Sequence, residues 1–362
     1  MIFTIFATNF SLTSTIMVFR NIEINGYRGI QHALIDDFKQ VNLFFGQNNC
    51  GKSSLLDAIF LISGLSNPFL AVQINFVRGY GKTGLNDLGF SFYNLNTDNP
   101  IHIKTEGIKR REIKISLFEY KQDKVLLDTK EGNMLSNKNG EKYGLRLNSM
   151  IGNKSLFSEL IFDSSESNNV TNKVPKDYEE TLHCSYLSPK YDFMTSLNGL
   201  KNILQNKDEH FIMDGLKLIE PRIVDFVFTD GEMFVDVGLG KRIPVNMMGD
   251  GARKIVSLLT AIYDCKEGVL LVDEISNGFH YSVMCNLWKV LLHAAKRNNT
   301  QLFVTTHDID SIKGLKNAAF NSEYADNIAA FKLLRTKDDE LKSYYYSVDG
   351  LKYAINQEIE LR

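Results

Sequence analysis

Eight consecutive residues, Gly46-Gln47-Asn48-Asn49-Cys50-Gly51-Lys52-Ser53, have the types and spacing of a loop that cradles a polyphosphate. Glycines at the first and sixth places let the backbone curl so that successive N–H groups face inward, and a helix start behind them adds a favourable dipole. Lys52 would neutralise the β- and γ-phosphates, and the Ser53 hydroxyl, followed by Ser54, is placed to coordinate Mg2+. Context separates such a loop from an ordinary glycine-rich turn. An apolar strand is predicted over 41–45 and a helix over 53–65, with Leu55, Leu56, Ile59 and Leu61 supplying its packing face. ATP is the expected ligand.

Three later segments add chemistry. The apolar run Val269-Leu270-Leu271-Val272 ends in Asp273-Glu274. A carboxylate at the carboxyl end of a buried parallel strand faces the ligand crevice, so Asp273 is expected to hold Mg2+ or its waters. Glu274 would then orient, or take a proton from, the water attacking the γ-phosphate. Alone, such a pair is more often a solvated strand end; beside a phosphate loop it gains this role. A strand predicted over 301–305 leads to His307-Asp308, and the imidazole is expected near the γ-phosphate or that water. Finally, Met248-Gly249-Asp250-Gly251-Ala252-Arg253 opens a helix after Pro244. The N–H groups of Gly249, Asp250 and Gly251 suit an anion, although a plain helix start with Asp250 as N-cap fits the same residues.

The elements that must position these residues follow from periodicity. Helix over 251–263, strand over 268–272, helix over 283–296 and strand over 301–305 imply right-handed parallel crossovers, hence an α/β fold. Upstream, a short strand is expected over 19–24 and a turn over 25–29. Alternating strands occupy 101–127 with a hairpin at Gly107, a loop or hairpin tip spans 129–143, and an exposed Ser/Asn-rich linker spans 164–176. A strand over 182–187, helices over 198–205 and 214–219, and strands near 223–228 and 233–237 complete the pattern, with Pro221 breaking the helical run.

Composition narrows the class. With 362 residues, 44% hydrophobic and 23% charged, the chain can bury a large core, and its net charge of -2 gives no whole-protein basic field of a dedicated nucleic-acid binder. Cys50, Cys184, Cys265 and Cys285 lack CxxC pairing, which argues against a disulfide framework or a zinc site and for a reducing cytoplasm. Residues 1–16 are apolar but lack a basic n-region, and Thr4, Asn9 and Ser11 interrupt the run. They read as a dispensable tail, not as a signal peptide or membrane span, and the folded chain is expected to begin at Met17.

Phosphate loop, Gly-Asp-Gly-x-Arg, apolar-Asp-Glu and Thr-Thr-His-Asp, in that order with a large insertion between the first two, resemble the ATP-binding-cassette class of chromosome-maintenance and repair ATPases. The closer resemblance is to small stand-alone AAA-type cores related to RecF, SMC and the OLD nucleases. EINGYRGI resembles their first strand and aromatic-Arg turn, LLVDEISNGFHYSV their magnesium-binding strand and D-loop, and 346–362 their terminal strand and helix. The resemblance implies a P-loop NTPase with an ABC-type core, a parallel sheet flanked by helices plus an antiparallel β lobe. It divides the chain into 17–100 and 245–362 as the two parts of the core and 101–244 as an α/β insertion. It also implies that Gly249, Asp250 and Gly251 form the signature segment, completing the γ-phosphate site of a second subunit so that ATP is sandwiched in a homodimer or higher homo-oligomer. Two positions depart from the pattern: Gly249 stands where the signature Ser belongs, and the Gln that follows the first helix has only Gln73 as a candidate.

The insertion is too short for long paired coils, and no nuclease domain is expected after Arg362, so any effector nuclease or toxin would be a separate protein encoded nearby. Lys109, Arg110, Arg111 and Lys114 lie on the expected hairpin, either touching DNA or forming a solvated strand face. His183 and His280 read as structural. The leading expectation is a magnesium-dependent ATPase that controls a partner in DNA repair or anti-phage defence, with no membrane role. A nucleotide-dependent scaffold with negligible hydrolysis and a RecF-like DNA clamp are the alternatives.

Overall fold

A computed structural model describes residues 17–79, 85–120, 142–163, 169–189 and 193–357. The chain first forms strands β1 (Ile22–Tyr27), β2 (Ile30–Ile35) and β3 (Val41–Phe45), then helices α1 (Lys52–Ser63), α2 (Leu70–Val77) and α3 (Leu85–Gly89). Five strands follow: β4 (Ile101–Thr105), β5 (Arg111–Tyr120), β6 (Lys142–Ile151), β7 (Lys154–Asp163) and β8 (Asn169–Lys173). Next come β9 (Cys184–Leu187), α4 (Phe193–Gln205), α5 (Glu209–Ile219), β10 (Asp225–Thr229), β11 (Glu232–Asp236) and β12 (Ile243–Pro244). The last third holds α6 (Asp250–Asp264), β13 (Val269–Val272), α7 (Met284–Asn298) and β14 (Gln301–Thr306). It closes with α8 (Ile309–Ala319), β15 (Ile328–Arg335), β16 (Glu340–Tyr346) and α9 (Val348–Asn356).

Among the described residues, 13 strands form one continuous sheet in the order β8-β7-β6-β5-β4-β1-β2-β16-β15-β3-β14-β13-β9, and β10, β11 and β12 form a separate small sheet. From β15 to β9 every neighbouring pair is parallel. From β8 to β2 every pair is antiparallel, and β16 joins the two regions, parallel to β2 and antiparallel to β15.

Side-chain alternation explains why the central parallel strands β3, β13 and β14 are buried on both faces. In β13, Leu270 and Val272 enter the core that also contains residues of α4 to α9, whereas Val269 and Leu271 enter the core shared with α1 and α2. β3 and β14 alternate in the same way, with Phe44 and Phe303 on the α1 side and Leu43 and Val304 on the other. A strand covered on both faces loses the polar-out alternation of a half-exposed strand. Phe38 bridges this packing, its ring edge-on to Phe44, Phe303 and Phe331.

Several local expectations are corrected. The first strand runs Ile22–Tyr27, so the turn is confined to Arg28-Gly29; Phe19 instead makes an isolated bridge to Gly107. The polar stretch expected as a linker contains β8, which exists because its backbone pairs with β7. Of the loop expected over 129–143, Lys142 and Tyr143 begin β6, while the rest lies outside the described residues, as does the tail 1–16. Asp250 is the first residue of α6 and not its cap; Gly249 takes that place, with no side-chain bond to the helix. Between 101 and 244, β4 to β8 extend the main sheet, β9 pairs with β13, and residues of α4 and α5 share a core with α6 and α7. Among the described residues, no helix is long and apolar enough to cross a membrane.

Candidate active site

The phosphate loop sits at the tip of the central strand. β3 is buried along its whole length between β14 and β15 and ends at Gly46, where a β-carbon would lie 2.4 Å from the carbonyl oxygen of Leu333. Only glycine lets the chain leave the strand there. Gln47, Asn48 and Asn49 are exposed, and Cys50 is buried beneath them, its thiol pKa raised by burial. Gly51, itself left-handed, starts α1 without a side-chain cap, which leaves the first helical N–H groups for a ligand. Lys52 is buried, and its Nζ donates to the carbonyl oxygens of Gly46 and Gln47, each at 2.9 Å, so its charge stands across the loop.

Parallel register brings the remaining groups to the same side. β13 and β14 pair Val272 with Val304, so Asp273 and Thr305 are neighbours one step further on. Asp273 Oδ1 accepts from Ser53 Oγ at 3.0 Å and from Thr305 Oγ1 at 2.6 Å. The same Thr305 hydroxyl accepts the Glu274 N–H at 2.9 Å, which fixes both acids against one side chain. Glu274 adopts φ 54, a left-handed conformation that costs an L-residue about 1–2 kcal/mol. His307 Nδ1 lies 2.7 Å from Glu274 Oε2; because an ionised carboxylate only accepts, the imidazole is the donor. Glu274 is 17% exposed and His307 49%, so the pair is open to a substrate.

The loop after Glu274 is held by α6. Lys254 Nζ donates to the carbonyl oxygens of Glu274 (3.2 Å), Ile275 (3.3 Å) and Asn277 (2.6 Å), using all three of its protons. Burial lowers its pKa to about 8, partly opposed by the charge of Glu274. At the start of α6, an ideal β-carbon at Gly251 would be 3.6 Å from Phe279 Cδ1, and one at Gly278 would be 3.5 Å from Asp250 Cβ. Gly249 has φ 89 with open space around it, and Arg253 pairs with Asp250. Asp250 and Gly251 therefore pack against the loop that follows Glu274, and Gly249 stays open. A cavity of about 300 Å³ separates the first turns of α6 from the tips of β9 and β13.

Gln73, the candidate for the Gln that follows the first helix, is exposed on α2. Arg78, at the end of the same helix, reaches Asp273 Oδ2 at 3.4 Å and Asp57 Oδ1 at 2.8 Å. Thr305 opens the Thr-Thr-His-Asp motif, but register reveals its bonds to both acids; Lys254 and Arg78 belong to no motif, and only tertiary packing reveals them. His280 caps a 3-10 turn, with Nδ1 2.9 Å from Ser282 Oγ. Arg111, expected on an exposed face, is buried in a bidentate pair with Glu180 at 2.8 and 3.0 Å, and Arg110 pairs with Glu106 and Glu112.

Ser53 Oγ and the Asp273 carboxylate are hard oxygen donors side by side at 3.0 Å, which suits Mg2+ completed by water and substrate phosphates. Residues 41–312 match the family described as "AAA domain, putative AbiEii toxin, Type IV TA system", a span that contains the phosphate loop, both acids and His307. The chain belongs to this family. An ATP/GTP phosphatase of Helicobacter pylori is 23% identical to this AAA-domain protein over 370 residues, covering 94% of this chain and 99% of that one. The DNA replication and repair protein RecF of Phocaeicola vulgatus is 28% identical over 120 residues, 33% of this chain and 29% of its own. Among solved structures, an SMC head bound to the C-winged helix domain of ScpA superposes with a TM-score of 0.50 at 11% identity, over 92% of this chain and 99% of that one. The protein is thus an α/β ATP hydrolase of the AAA class with an ABC-type core.

Proposed function

We propose that the protein hydrolyses Mg2+-ATP at a site completed by a second copy of itself, and that the cycle controls a partner in DNA repair or in defence against foreign DNA. The Glu274–His307 pair carries the reading. Thr305 ties the Glu274 backbone N–H to Asp273, and His307 meets the Glu274 carboxylate, on the side where the phosphate loop opens. The N–H groups of 46–53 and Lys52 bind the triphosphate. Ser53 and Asp273 would hold Mg2+, which would supply neutralisation of the phosphate charge. Glu274 orients a water and accepts its proton as the water oxygen bonds to the γ-phosphorus; the bond to the β–γ bridging oxygen breaks, giving ADP and phosphate. His307 holds Glu274 in place.

The second copy is inferred from Gly249 to Gly251. Packed against its own 278–279 and open at Gly249, this helix start has N–H groups to offer the γ-phosphate of a partner. The role in defence or repair draws on the toxin system in the family's description and on the partial similarity to RecF. DNA contact through the 109–114 hairpin finds less support, because Arg110 and Arg111 are paired with acids. One observation favours a second reading, a nucleotide-dependent scaffold that hydrolyses little: Gly249 brings no hydroxyl to the signature. Glu274→Gln separates the two. It should bind ATP normally, lose about a hundredfold or more in turnover, and accumulate as a dimer in analytical ultracentrifugation with Mg2+-ATP. A variant that turns over at the native rate would remove Glu274 from the mechanism.

A further inference from the structure

Asp57 stands four residues beyond Ser53 on α1 and is fully buried. One oxygen lies 3.0 Å from Arg28 NH1; the other takes Arg78 NH2 at 2.8 Å and the Tyr186 hydroxyl at 3.0 Å. Arg28 comes from the turn between β1 and β2, where it is left-handed and also donates to Asn75 on α2. Arg78 then continues to Asp273, NH1 to Oδ2 at 3.4 Å. Four side chains of alternating charge, Arg28, Asp57, Arg78 and Asp273, thus run from the β1–β2 turn to the tip of β13.

The two edges of the Arg78 guanidinium differ. NH2 is fixed by two groups, Asp57 and Tyr186, whereas NH1 makes one long contact, to the metal carboxylate. Burial disfavours the charge and Asp57 restores it, so the Arg78 pKa lies above the usual arginine value and the group is a permanent cation. Asp273 accordingly faces two positive charges: the divalent ion expected beside Ser53, and Arg78. Cations that share a carboxylate weaken each other's hold on it.

We propose that Arg78 is a positioning residue that sets how tightly Asp273 holds its divalent cation, with Asp57 holding the guanidinium back from that carboxylate. The inference rests on Ser53 and Asp273 forming the metal site. Its physical content is a direction: removing the Arg78 charge tightens Mg2+, and removing the Asp57 charge loosens it.

The test is an Mg2+ titration of the full chain with a fluorescent ATP analogue, reading the midpoint of metal-dependent binding. Arg78→Gln should lower the midpoint about tenfold, the scale of a unit charge near a divalent ion under water-like screening. Arg78→Lys keeps the charge and should stay within about twofold of wild type. Asp57→Asn should raise the midpoint. A purely structural Arg78 would change the melting temperature and leave the midpoint where it was. A folded Arg78→Gln with an unchanged or higher midpoint overturns the proposal; if that variant does not fold, the direction of the Asp57→Asn shift decides. Wild-type binding that ignores Mg2+ would instead refute the metal site itself, and the inference with it.

Discussion

The two ends of the large sheet handle charge in opposite ways. At the parallel end, β3, β13 and β14 run in one direction and release the phosphate loop, Asp273-Glu274 and His307 from their carboxyl tips. At the antiparallel end, polar side chains meet across strands: His102 lies 2.6 Å from Glu112, and Glu159 takes both Arg146 and Lys173. The difference is topological. Parallel strands gather their carboxyl ends on one edge, facing a crevice, whereas antiparallel strands alternate their ends and pair their side chains with neighbours. Chemistry is expected at the first end and stability at the second.

Substitutions at the two ends should therefore separate binding from folding. The largest effect on the site is expected for Lys52→Ala, with ATP affinity falling about a hundredfold or more through lost charge-assisted contacts; unchanged affinity by calorimetry would mean that the loop does not hold the phosphates. Next is Lys254→Met, which should lower turnover about tenfold by releasing the carbonyls of Glu274 and its successors, while leaving ATP affinity near wild type. As pH rises through about 8, Lys254 loses a proton, and an amine donates two bonds where the ammonium donated three. Wild-type turnover should fall on that alkaline side, and the variant should lack the fall. Linkage runs the other way: with a folded pKa below the free value of 10.5, this group's contribution to stability rises with pH between the two. A fall in turnover without a lower melting temperature thus reports the loop and not unfolding. The smallest effect on the site belongs to Leu160→Ala, fully buried on β7. It should cost about 2–5 kcal/mol of stability in denaturant unfolding while leaving ATP affinity within about twofold. A large affinity loss there would erase the contrast between the two ends.

Legibility in the sequence follows the same division. Val41 to Phe45 and Val269 to Val272 could be read directly, because burial on both faces leaves a short apolar run, interrupted in the first only by Asn42, that stops at a glycine or an acid. β2 was hidden: its buried residues Ile30, Ala33 and Ile35 do not alternate strictly. β8, Asn-Val-Thr-Asn-Lys, has only Val170 and Thr171 as strand formers among polar residues and owes its form to pairing with β7. Arg111 read as surface because its partner, Glu180, is 69 residues away. Arg78 escaped for the same reason, since Asp57 and Asp273 approach it only after α1, α2 and β13 have packed.

The outer strands of the sheet have a consequence for how copies of this protein meet. Among the described residues, the ribbon of thirteen strands ends in two rims, β8 and β9, and an open rim is a template for growth into aggregates. Here the rims are short: β9 has four residues, with Pro189 two positions beyond its last, and β8 has five and ends in a lysine. Foreign strands find little length to nucleate on, so strand addition is a poor route to assembly. The proposed pairing of copies would then fall to the loops at the strand tips, where a bound nucleotide could control it.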